Sequence, residues 1–173
     1  MPQLIEDCAI VDDRWTLIRD ADQLATIGLD EAVIVPLAFW QRQRVALSMR
    51  GDVGVWLAPS DDPAALADDI DRLPLIAVDF PQFTDGRGYS TGRLLREQYG
   101  YAGELRAIGD ILRDQLYYLH ACGFNAFALR ADGDLVDALK GLADFSDNYQ
   151  STVARPLPLY RRRGTRDGGA LPA

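Results

Sequence analysis

The chain has 173 residues, 48% hydrophobic and 25% charged, close to the average of soluble globular proteins. Acidic residues outnumber basic ones 26 to 18, leaving a formal charge of −8 and a pI near 4.6, which argues against a nucleic-acid partner. One domain fits this length, with a core large enough to need no disulfide or metal staple. Cys8 and Cys122 lie far apart and belong to no CxxC or Cys/His cluster, which argues against a zinc site and predicts a reducing compartment. No apolar run approaches the roughly 20 residues of a membrane span. The acidic, early-broken start MPQLIEDCAI does not read as a signal peptide. The expectation is a cytoplasmic protein that engages neither nucleic acid nor membrane.

The first 20 residues read as a β-hairpin appendage: Leu4, Ile5 and Ala9–Val11 lead into a turn at Asp12-Asp13-Arg14, and Trp15, Leu17 and Ile18 resume the apolar pattern. From residue 32 to 150 short apolar runs alternate with helical patterns. The run Val33–Leu37 precedes an amphipathic stretch from Ala38 to Met49. The run Val53–Ala58 precedes Ser60-Asp61-Asp62-Pro63, where Ser60 or Asp61 is the expected N-cap of a helix from Pro63 to about Leu73. The third run, Leu75–Phe80, is almost continuously apolar, as in a strand buried on both faces, and leads through a loop to a helix over 91–99. The fourth, Leu105–Ile108, precedes a helix over 111–122 ended by Gly123, and the fifth, Phe124–Leu129, precedes a helix from Leu135 to about Phe145. These are consecutive βα units, so the fold class is α/β with a mainly parallel sheet, either open and doubly wound or shaped as a partial TIM barrel. Residues 1–163 form the expected single domain, and the Arg-, Pro- and Gly-rich segment 164–173 is read as a disordered tail. An exposed sheet edge would favour a homodimer.

In parallel α/β sheets ligands bind at the carboxyl ends of the strands. Asp79 ends the third run, and after it come Asp85, Gly86, Arg87, Gly88, Tyr89 and Ser90, then Arg93 and Arg96 on the following helix. Glycines on both sides of Arg87 suit a backbone turned to φ > 0, and the helix start offers N–H groups to an anion. The same residues also read as a tight loop, an N-cap and a solvated helix face. After the fourth run, Asp110 reads as an N-cap, and Arg113 and Asp114 as reaching toward Asp79 and Arg87, in a polar cluster that serves either a ligand or structure. His120 sits late in a helix, where the dipole favours it, and Cys122 beside Gly123 reads as a packed small hydrophobe. No dinucleotide fingerprint, iron–sulfur cysteine set or redox cysteine pair is present, so no cofactor is specified.

Asp79-Phe80-Pro81, Phe83–Ser90, Gly103–Ala107 with Asp110, Arg113-Asp114-Gln115, and Cys122-Gly123-Phe124 together resemble an uncharacterised bacterial family labelled as a probable oxidoreductase involved in sulfite reduction. The similarity runs from about Val33 to Tyr149. Members of that family tend to be encoded beside assimilatory sulfite reductase. The resemblance implies a role in sulfur assimilation, and with it an accessory protein that contacts sulfite reductase or its electron donor through a binding surface. The rival expectation is an enzyme or sensor for a small anion (sulfite, sulfate or a phosphorylated nucleotide) around Gly86-Arg87-Gly88.

Overall fold

Each apolar run from Val33 onward becomes a strand, and the stretch after it contains a helix or helical turn. A computed structural model describes residues 2–20, 31–144 and 149–166. Its elements are β1 Gln3–Glu6, β2 Ala9–Asp12, β3 Thr16–Leu17, β4 Val33–Pro36, α1 Leu37–Leu47, β5 Val53–Leu57, a 3₁₀ helix Pro63–Asp69 and β6 Leu75–Phe80. Then come α2 Arg87–Glu97, β7 Glu104–Gly109, a 3₁₀ turn Arg113–Gln115 continuing into α3 Leu116–Ala121, β8 Ala126–Phe127, α4 Leu135–Gly141 and α5 Leu159–Arg166.

The described strands form one eight-stranded sheet in the order β2-β1-β8-β7-β6-β5-β4-β3. Strands β3 to β8 are parallel and adjacent in chain order, while β1 runs antiparallel to both β8 and β2. A doubly wound sheet needs a point where the strand order reverses. Here it never does, so right-handed crossovers place the crossover helices on one face and the sheet curls as a half-barrel. On the helix-covered face Val33, Val35, Val55, Leu57, Ile76, Val78, Phe80, Leu105, Ala107 and Phe127 pack against Trp40 of α1, Leu66, Leu95 of α2, Leu116 and Leu119 of α3, and Ala138 of α4. Residues of opposite parity, Ile34, Leu75, Ala77 and Ile108, form a smaller cluster on the inner face around Trp15.

The chain passes from Asp12 at the end of β2 to Thr16 at the start of β3, although these strands lie at opposite edges of the sheet. Four residue steps span at most about 14 Å, so the edges must approach one another. The crossing segment is anchored inside the curl. Asp13 N donates to Pro2 O, and both Asp13 carboxylate oxygens accept from Arg106 Nη1 of β7 at 3.0 Å. Arg106, 2% exposed, also donates from Nε to Glu104 at 2.7 Å. Burial pushes the Glu104 carboxyl above its usual range even with that guanidinium beside it.

Several local expectations are corrected. The hairpin turns at Asp7-Cys8, both at positive φ (46° and 63°), as a two-residue turn with right-handed strand twist requires. It joins the sheet through β8 and is no appendage. Trp15–Ile18 belong to the far edge, not to a hairpin arm. The N-cap before Pro63 is Asp62, which accepts from Ala64 N, in place of Ser60 or Asp61. The helix expected over 111–122 begins as a 3₁₀ turn at Arg113, and Gln115 Oε1 accepts from Leu112 N. Gly123 ends α3 at φ 103°, as its C′ position implies. In the segment read as a tail, the backbone is helical to Arg166, and 167–173 lie outside the described residues. No described helix is long and apolar enough to cross a membrane.

Candidate functional site

The carboxyl ends of β3, β6, β7 and β8 open together into a cavity of about 420 Å³ lined by Arg19, Asp79, Pro81, Gly109, Asp110 and Arg130. Each residue is set by its strand. Arg19 follows the β3 extension, where Ile18 N donates to Ile34 O, and its guanidinium lies 5.6 Å from the Trp56 ring centroid. Trp56 Nε1 donates to Ile18 O at 2.8 Å and so holds that backbone in place. Asp79, on the inner face of β6 and nearly buried, accepts from Arg19 Nη2 at 3.0 Å. Gly109 ends β7 at φ 100°, and a Cβ there would run into Phe80 O and approach Asp79 Oδ1 to 2.9 Å, so only glycine fits the floor of the mouth.

Asp110 receives two donors, Phe83 N at 3.1 Å and Arg130 Nη1 at 3.2 Å, so it ties the loop after β6 to the segment after β8. It is not the N-cap expected for the next helix. Arg130 turns its remaining edge to Asp132, with Nε and Nη2 donating at 3.1 and 3.0 Å. The Asp132 side chain is 72% exposed, and the guanidinium holds its carboxyl below the usual carboxylate range. The same pair, with Asp110, raises the Arg130 pKa further, so Arg130 stays cationic throughout.

Of the residues selected from sequence, Asp79 and Asp110 reach this mouth and the others do not. Gly86, Arg87 and Gly88 are not a left-handed loop: Gly86 is the N-cap of α2 at φ −84°, and Arg87 and Gly88 are its first helical residues. Arg87 folds back on Asp85, which accepts from its backbone N, Nε and Nη2. This hydrogen bonding lowers the Asp85 pKa and raises that of Arg87. Gly88 is required because a Cβ would land 2.5 Å from the Phe80 ring, so its role is close helix-to-sheet packing. Tyr89 packs its ring on Phe80 at 5.2 Å and accepts from Gln115 Nε2, with burial raising its hydroxyl pKa. Ser90 lies exposed on α2.

Arg93 donates to Glu97 and to Ser151 Oγ, at a separate cavity. Arg96 is no solvated residue, since it donates to the carbonyls of Gly123, Tyr101 and Gly103 and to Asn125 Oδ1. Arg113 pairs with Asp137 and Asp144, turning away from Asp79 and Arg87, and Asp114 is exposed in the 3₁₀ turn. The expected cluster of Asp79, Arg87, Arg113 and Asp114 therefore does not form. The two arginines that do reach the mouth, Arg19 and Arg130, are not among the residues the sequence motifs single out. Both directly follow apolar runs, Leu17-Ile18 and Phe124–Leu129, so the strand-end rule applied to every run would have found them.

The model of a family described as "bacterial protein of unknown function (DUF934)" matches residues 54–160. The chain belongs to this family. The match covers β5 through the start of α5 and takes in Asp79, Gly109, Asp110 and Arg130, while Arg19 lies before it. No match to a curated protein was found.

Proposed function

We propose that this protein serves sulfite reduction in sulfur assimilation by holding a small oxyanion, sulfite or sulfate, at the mouth of its curled sheet. The pathway rests on the resemblance carried by Asp79-Phe80-Pro81, Phe83–Ser90, Gly103–Ala107 and Cys122-Gly123-Phe124. One observation carries the site: Arg19 and Arg130, from strands five positions apart in the sheet, line one open cavity and are steadied by Asp79 and Asp110. A planar guanidinium with parallel N–H donors suits an oxyanion. Arg130 already grips two carboxylate oxygens of Asp132 in this way. Exposed ion pairs contribute little stability, so an incoming anion can take the place of Asp132.

The test is a thermal-shift titration of wild type, Arg130→Ala and Asp132→Asn with sulfite and sulfate, using chloride at matched ionic strength as the control. A ligand at about 100 times its Kd stabilises a fold by about 2.7 kcal/mol, which a melt resolves. The expected result is a shift in wild type, its loss in Arg130→Ala, and tighter binding in Asp132→Asn. Equal response of all three proteins would refute the seat at Arg130.

A second reading is an accessory protein that contacts sulfite reductase or its electron donor. It is favoured by two exposed apolar side chains, Val45 in the last turn of α1 (84% exposed) and Met49 in the turn just after it (86% exposed). Under this reading Val45→Glu weakens co-sedimentation with sulfite reductase and Arg130→Ala leaves it unchanged.

A further inference from the structure

A second cavity, of about 340 Å³, lies in the helical layer between α2, α3 and residues 149–152, and shares no lining residue with the mouth. Its size suits a small ligand, since such sites run to about 300–1,000 Å³. Tyr118 forms one wall and is 56% exposed, yet its ring is fixed from behind. An aromatic ladder runs out to it from the core: Phe124 to Phe80 at 5.9 Å, Phe80 to Tyr89 at 5.2 Å and Tyr89 to Tyr118 at 4.9 Å. Tyr149, 70% exposed, also lines the cavity and is backed by Tyr160 of α5 at 6.5 Å. Exposed rings already held by other rings lose little freedom when a planar group stacks on them.

The polar lining lies close by. Arg93 is held by Glu97 at 3.0 Å and by Ser151 Oγ at 3.2 Å, and Gln150, Ser151 and Thr152 supply amide and hydroxyl groups. The adjoining segment 155–162 carries Arg155, Arg161 and Arg162 and no acidic residue, in a chain whose net charge is −8. This basic segment makes the cavity side of an acidic protein attractive to anions.

We propose that this cavity is a mononucleotide site, in which a heteroaromatic base stacks on Tyr118 and Tyr149 while Arg93 takes the phosphate. A bare oxyanion leaves the two tyrosine faces unused, and an uncharged ring leaves the arginine's charge and parallel N–H donors unmatched. A phosphorylated base uses both. The site is independent of the oxyanion seat at Arg130.

The experiment is saturation-transfer NMR followed by calorimetric titration of the full chain, with AMP and UMP as probes and adenosine and inorganic phosphate as partial probes. AMP should bind at least about tenfold more tightly than adenosine or phosphate. Tyr149→Ala should weaken AMP about tenfold, as loss of one stacking face does, while Tyr149→Phe retains binding. Arg93→Gln should weaken AMP but leave adenosine unchanged, and Arg130→Ala should alter neither. Tyr149 is exposed and Arg93 half-buried, so their variants should fold as wild type does, which a thermal melt of each checks. The inference is overturned if neither mononucleotide binds wild type, if phosphate binds as tightly as AMP, or if Tyr149→Ala and Arg93→Gln both bind AMP as wild type does.

Discussion

Replacing Asp13 by alanine tests the account of how the sheet curls. Asp13 lies on the crossing from β2 to β3, and its carboxylate is the bidentate partner of Arg106, whose side chain is 3% exposed inside the curl. Removing one partner of a buried ion pair costs about 3–5 kcal/mol, because the remaining charge cannot be rehydrated. Glu104 still accepts from Arg106 Nε, which places Asp13→Ala at the lower end, about 3 kcal/mol. For a chain of this length that lowers Tm by about 6–12 °C. Scanning calorimetry and urea unfolding measure it, and the decisive comparison is the double variant Asp13→Leu/Arg106→Met. A buried ion pair replaced by apolar groups of similar volume is often neutral or stabilising, so the double variant should recover most of the loss. If Asp13→Ala costs less than about 1 kcal/mol, or the double variant is the less stable of the two, the pair does not tie the sheet edges as reasoned.

Other expectations follow from single contacts. Gly92→Ala in α2 would drive a Cβ into the Phe124 ring, so overpacking of about 1–3 kcal/mol should outweigh the gain of about 1 kcal/mol in helix propensity; Gly51→Ala, with nothing within 4 Å, serves as the unperturbed control in thermal melts. Burial pushes the Cys122 thiol above its ordinary value, which disfavours the thiolate, whereas Cys8 is exposed. Maleimide labelling followed by mass spectrometry at pH 7.5 should therefore modify Cys8 first, and the Cys122 rate should climb only as the pH passes beyond the ordinary thiol range; equal rates would contradict that burial. Gly109→Ala should abolish the oxyanion response even in a folded protein, because the Cβ displaces Phe80 O and Asp79 at the mouth, and the same titration reads it.

Much of the fold was legible in local pattern. The runs Val53–Ala58, Leu75–Phe80 and Leu105–Ile108 read as strands from their short apolar pattern, Leu75–Phe80 as one buried on both faces because apolar residues fill both, and they are the centre of the sheet. The hairpin turn was harder to place, since Asp7-Cys8 carries no glycine while Asp12-Asp13-Arg14 has the polarity of a turn; the latter is polar because Asp13 must meet Arg106, 93 residues away. The glycines around Arg87 suggest backbone freedom, but at Gly88 the demand is steric and comes from Phe80 across the helix-to-sheet contact.

From its order of residues alone, this chain determines α/β units in succession, a covered parallel sheet, and Asp79 and Asp110 at strand ends, because periodicity and strand-end position are properties of neighbouring residues. Tertiary structure alone decided that the sheet curls instead of reversing, that Arg106 seals its interior, and that Arg19 and Arg130 share one mouth. Those outcomes depend on pairings across 20 to 93 residues, as between Arg19 and Asp79, Arg130 and Asp110, and Arg106 and Asp13. A local pattern carries no record of which charge a distant strand will bring alongside.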